Sequence, residues 1–98
     1  MKILLDIDDT ALITTDNGKT WIEHPRLKEL LNKHTVILYS ANPDIENYYS
    51  KWDTKGFFPK GTHAVPKGDV LIDDQADLFR DLCDVKEHFY SIDEVRYE

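Results

Sequence analysis

The stretch that most constrains this chain is Ile3-Leu4-Leu5 running directly into Asp6-Ile7-Asp8-Asp9-Thr10. A short run that is apolar at every position reads as a strand covered on both faces, because a strand with one wet face would alternate. Three carboxylates then follow within four residues. Charges crowded this closely at the end of a buried strand repel, and at least one pKa must rise unless a cation is present. The pattern recurs once, where Val70-Leu71-Ile72 runs into Asp73-Asp74. If both strands are parallel in one α/β sheet, their carboxyl ends share a rim, and that rim is where open α/β sheets place their ligands. Asp6, Asp8, Asp9, Asp73 and Asp74 would then converge. An all-oxygen donor set of this kind suits Mg²⁺.

The rest of the chain alternates strand and helix signals, which predicts an α/β fold with a mostly parallel sheet of about five strands, a Rossmann-like three-layer sandwich. Asn17-Gly18 between Ala11–Thr15 and Thr20–Ile22 marks a β-hairpin flap just beyond the acidic turn. Pro25 followed by Leu27, Leu30 and Leu31 predicts a helix over 25–33. Val36–Tyr39 is the second strand and ends at Ser40; a helix follows, with Asn42 as its N-cap, carrying Ile45, Tyr48, Tyr49 and Trp52 to a stop near Gly56. Phe57-Phe58 is the third strand, closed by Pro59, and 60–69 is a loop containing Gly61, Pro66 and Gly68. After the strand at 70–72, a helix over 75–83 should turn Leu78, Phe79 and Leu82 to the core. His88–Ser91 is a fifth strand, and Asp93–Glu98 a last short helix or tail.

At 98 residues the chain makes one domain, 1–98. Its net charge of −7 disfavours binding along extended nucleic acid or an anionic membrane. Cys83 is the single cysteine, so an intramolecular disulfide is excluded. No stretch reaches membrane-spanning length and no signal pattern precedes the first strand, so the expectation is a soluble cytoplasmic protein. His24, His34, His63 and His88 lack metal-ligand spacing and read as structural or surface residues. Trp52 on its helix reads as core.

In order, the chain holds Asp6-x-Asp8-x-Thr10 after a strand, Ser40 after a strand, a lysine, and Asp73-Asp74 after a strand. This series resembles the haloacid dehalogenase (HAD) superfamily of phosphohydrolases. Leu4–Leu12 is similar to the first family motif, Ser40 to the second, and Leu71–Asp74 to the fourth. The resemblance implies that Asp6 is a nucleophile forming an aspartyl-phosphate, and that Asp8 is the general acid and base. It also implies Mg²⁺ held by Asp6, the backbone carbonyl of Asp8 and Asp73, with Asp74 behind. Ser40 with Ala41 beside it, and a lysine, would bind the phosphoryl oxygens.

The lysine is either Lys60 or Lys67. A strand rises about 3.3 Å per residue, so Lys67, which precedes the strand at 70–72, belongs at the far end of the sheet. Lys60 follows Phe57-Phe58 and should emerge at the acidic rim. If Ala64-Val65 is instead the third strand, Lys67 follows a strand end and becomes the alternative.

The spacings from Thr10 to Ser40 and from Ser40 to Lys60 are too short for a cap domain. The site should therefore be open, closed only by the flap at 11–24 or by a neighbouring subunit in a homo-oligomer. An open site suits a phosphorylated nucleotide, nucleic-acid end or protein as substrate. Two other classes share these residue types. A signalling receiver domain carries its phosphate acceptor on a middle strand, but the middle strand here ends in Ser40. A non-catalytic HAD-like module that binds phosphate or metal would keep the rim without the chemistry.

Overall fold

The computed structural model describes residues 1–95. Five strands form one fully parallel sheet: β1 (Lys2–Leu5), β4 (Thr35–Ser40), β5 (Phe57–Pro59), β6 (Val70–Ile72) and β7 (Glu87–Phe89). Their spatial order is β5-β4-β1-β6-β7. The chain builds outward from β1 in one direction, returns, and builds outward in the other. This is the 3-2-1-4-5 order of the doubly wound Rossmann-like class, and its switch point falls between β1 and β6. The flap is a separate antiparallel pair, β2 (Leu12–Ile13) and β3 (Ile22–Glu23).

Both faces of β1 are covered, as its unbroken apolar run requires. Ile3 and Leu5 pack with Val36, Leu38, Val70 and Ile72 beneath α1 (Leu27–Lys33) and α2 (Ile45–Lys51). Leu4 faces the other way, with Ile37, Tyr39 and Leu71, beneath α3 (Ala76–Phe79) and the 3₁₀ turn Arg80–Leu82. The second face is the thinner one, because the crossover from β5 to β6 is a loop rather than a helix. The 3₁₀ turn Ile92–Glu94 returns the chain to the first core through Ile92 and Val95. The end of the expected last helix or tail, at 96–98, lies outside the described residues. Among the described residues no helix is long and apolar enough to cross a membrane.

Several elements differ from expectation. The helix expected over 75–83 is α-helical only to Phe79 and then tightens into 3₁₀. Ala76, Phe79 and Cys83 take the inward positions, while Leu78 is 64% and Leu82 55% exposed. The inward stripe is displaced because the tighter turn changes which residues share a face. Asn42 does not cap α2; Asp44 holds that position, and the Asn42 side-chain oxygen accepts from the Asp44 amide at 2.8 Å. This turn spans Pro43 and delays the helix. That helix ends at Lys51, with Trp52 as its C-cap, rather than near Gly56, because Asp53 turns the chain with φ +52. Aspartate is among the few residues that tolerate this left-handed conformation. Ala64 and Val65 are exposed loop residues, not a strand. The fifth strand starts one residue earlier than expected and ends at Phe89.

The flap is wider than a minimal hairpin. Asn17 and Gly18 both have positive φ, 58 and 91, at its bend. Below them, Asp16 accepts from the Thr14 hydroxyl and the Thr20 amide, each at 2.8 Å. The Thr20 amide is the main cause holding the Asp16 carboxyl below its usual range.

Candidate active site

Asp6 is the first residue beyond β1, and its amide donates to the carbonyl of Ile72 at 3.0 Å, prolonging the parallel ladder. Asp73 is the first residue beyond β6 and is fully buried. The two carboxylates therefore meet at the switch point of the sheet, where neighbouring crossovers leave on opposite faces and a crevice opens. Lys60 follows β5, and its amide donates to the Ser40 carbonyl at 2.9 Å, which fixes its main chain to the end of β4. Its side chain, 7% exposed, reaches from the end of β5 to the acids that follow β1 and β6. The ammonium lies 2.6 Å from Asp73 Oδ2 and 3.2 Å from Asp6 Oδ1. Lys67 is exposed, and its main chain pairs with that of Asp84 in an isolated β-bridge next to Gly68, which abuts the Lys2 carbonyl at the opposite end of the sheet.

Thr10 ties the two acidic turns together. Its hydroxyl lies 3.2 Å from Asp6 Oδ2 and 3.4 Å from Asp74 Oδ1, and accepts from the Asp74 amide at 3.1 Å. The Gln75 amide donates to Asp73 Oδ1 at 2.9 Å. Asp9 takes φ +63, which lets the chain reverse between Asp8 and Thr10. Asp8 is exposed at the rim, where Asn42 Nδ2 donates to its Oδ1 at 3.1 Å. Buried Ser40 accepts from the Asn42 amide through its hydroxyl oxygen at 3.0 Å.

Asp6, Asp8, Asp9, Ser40, Lys60 and Asp74 line a cavity of about 180 Å³, together with Ala41, Gln75 and Phe79. It is smaller than the roughly 300–1,000 Å³ of sites that enclose a drug-sized ligand. All the site residues expected from sequence except Asp73 line this cavity, and Asp73 stands immediately behind it, bonded to Lys60. Sequence reasoning missed two residues. Asn42 was read as a helix cap, and its hydrogen bond to Asp8 had no local signal. Phe79 packs against the second core cluster as expected, and its ring also borders the cavity, with the Lys60 ammonium 3.7 Å from its centroid, a role with no local signal.

Burial pushes the Asp6 carboxyl from 3.8 up to about 7; the Asp73 charge adds to the rise and Lys60 opposes it. Asp74 is also raised, first by burial. One ammonium does not offset this much negative charge. Oxygens of Asp6, Asp73 and Asp74 all lie within 4.8 Å of one another. Opposite ligands of an octahedral Mg²⁺ stand about 4.2 Å apart, given bonds of about 2.1 Å. The three carboxylates therefore fit a hard divalent cation after a small contraction.

Compared with protein-family models, curated proteins and solved structures, the chain finds no match.

Proposed function

We propose that this chain is a Mg²⁺-dependent phosphomonoester hydrolase of the HAD type, without a cap domain, that works through an aspartyl-phosphate. The observation carrying this reading is the convergence of Asp6, Asp73 and Lys60 at the sheet's switch point, with Asp8 and Ser40 on the same cavity. Asp6 and Asp73, with Asp74 beside them, would hold the cation. When bound, it offsets the repulsion between an anionic nucleophile and an anionic phosphate.

Asp6 is the group best placed to attack phosphorus. It sits on a rigid strand end, held by Thr10 and Lys60. In the first step an Asp6 oxygen bonds to phosphorus, the ester P–O bond breaks, and Asp8 gives its proton to the departing oxygen. In the second, Asp8 takes a proton from water, the water oxygen bonds to phosphorus, and the Asp6 carboxylate leaves. The Asn42 amide orients Asp8 for both transfers. Ser40 and Lys60 take the phosphoryl oxygens, with Ala41 on the cavity wall.

The small cavity admits the phosphoryl group and leaves the remainder of the substrate outside. That favours a nucleotide, a nucleic-acid end or a phosphoprotein, with the flap or a second subunit closing over it. The main-sheet order stands against the receiver reading, whose class is wound 2-1-3-4-5. The test is a phosphomonoester screen with Mg²⁺, including 3′- and 5′-phosphorylated oligonucleotides, alongside calorimetric titration of Mg²⁺. Turnover that chelator and Asp6→Asn abolish, with Mg²⁺ binding that Asp73→Asn weakens, is expected. Binding of Mg²⁺ without turnover on any ester would favour the non-catalytic module.

A further inference from the structure

We infer that Phe79 is a positioning residue that holds the Lys60 ammonium in place for phosphoryl transfer, an inference that rests on the role proposed for Lys60 above. A lysine is a compact charge on a flexible four-carbon stem, so it needs walls to occupy one place. The root of Lys60 is fixed by its amide bond to Ser40. Its tip has two kinds of partner. One is the pair of carboxylates, Asp6 and Asp73. The other is an aromatic corner: the ammonium is 3.7 Å from the Phe79 ring centroid and 5.5 Å from that of Tyr39. The two rings meet edge to face at 90°, with centroids 6.2 Å apart, so each fixes the other's plane. Both distances lie within the roughly 6 Å over which a ring face attracts a cation.

The two kinds of partner are not equivalent during turnover. A divalent cation on Asp6 and Asp73 competes for the oxygens that now hold Lys60, and a phosphoryl group on Asp6 removes one of them. The ring keeps its attraction throughout. Phe79 is carried by α3, in the same segment as Asp73 and Asp74, so the ammonium is referenced to the strand end that bears the metal-binding acids. Packing alone does not explain the position, because Phe79 is only partly buried and borders the cavity.

The ring leaves a signature that does not depend on activity. In proton–carbon correlation spectra, the Lys60 ε-methylene protons should lie upfield of those of the other lysines, with and without Mg²⁺. Phe79→Leu should return them to the ordinary position and lower kcat about tenfold, equivalent to ~1.4 kcal/mol, with a smaller change in KM. Phe79→Tyr should retain both the shift and the rate, which a merely space-filling role does not require of Leu and Tyr in that order. Ordinary Lys60 shifts in the wild-type protein would overturn the inference even if Phe79→Leu fails to fold. So would wild-type kcat in a folded Phe79→Leu variant. If the wild type hydrolyses no phosphomonoester, the hydrolase reading fails, and the spectrum still decides whether the ring holds the ammonium.

Discussion

Asp6 carries a heavy electrostatic burden. Burial first, and Asp73 second, push its carboxyl up to about 7, against 3.8 for a free side chain. Between those values the folded chain keeps a proton that the unfolded chain has released. Proton binding therefore favours folding there, and this contribution is lost as pH rises toward 7. In chelator, stability should fall over that window, and Asp6→Asn should remove most of the fall, leaving the smaller part due to Asp74. Excess Mg²⁺ should also remove it, by favouring the ionised carboxylate. Denaturant titrations across pH, with chelator and with Mg²⁺, check both. The lysines provide a second residue-scale prediction. Lys60→Ala should lower turnover by roughly 10²-fold or more, as losing a donor aimed at developing charge does elsewhere. Lys67→Ala, at the opposite end of the sheet, should leave turnover nearly unchanged. Comparable losses in both variants would contradict the placement of the site.

At the scale of elements, the important joint is between the turns after β1 and β6. Thr10 joins them by bonding Asp6, the Asp74 carboxylate and the Asp74 amide. Thr10→Val should destabilise the fold by about 1–3 kcal/mol, since it removes the hydroxyl that joins the two turns and leaves the part-buried Asp74 amide without its acceptor, and Thr10→Ser should restore most of that. The other end of β6 is tight as well. A Cβ on Gly68 would meet the Lys2 carbonyl at 3.1 Å and Leu4 Cγ at 3.2 Å, neither at the end of a flexible side chain. Gly68→Ala should cost about 1–3 kcal/mol in thermal or denaturant unfolding. The strands and their acidic ends were legible because an unbroken apolar run has one economical reading and carboxylates at its end have few. Lys60 was placed at the rim by strand direction alone. Phe79 was legible as inward, but the outward turn of Leu78 and Leu82 was not, because a switch from α to 3₁₀ leaves no mark in that apolar pattern. Asn42 and Asp53 were missed for a related reason. Their roles depend on the path of the turn, which their residue types permit but do not dictate.

For the whole molecule, topology and site are one fact. The order β5-β4-β1-β6-β7 puts the switch point between the two strands that are each followed by an aspartate, and the lysine reaches it from the end of β5. The second face has no crossover helix between β5 and β6, as the breakers Gly61, Pro66 and Gly68 in 60–69 lead one to expect. Nor would a chain of net charge −7 recruit an anionic substrate by its overall field; on the proposed reading, a bound cation and Lys60 would do so locally. The central claim is that Asp6 forms a covalent bond to phosphorus. The most direct measurement is to mix the protein with a turning-over phosphomonoester and Mg²⁺, quench in acid, digest with pepsin, and locate any phosphoryl group by mass spectrometry. The account predicts one phosphoryl group on Asp6, absent when chelator is present and absent in Asp6→Asn. Steady turnover with no label on Asp6, or with the label elsewhere, would contradict it.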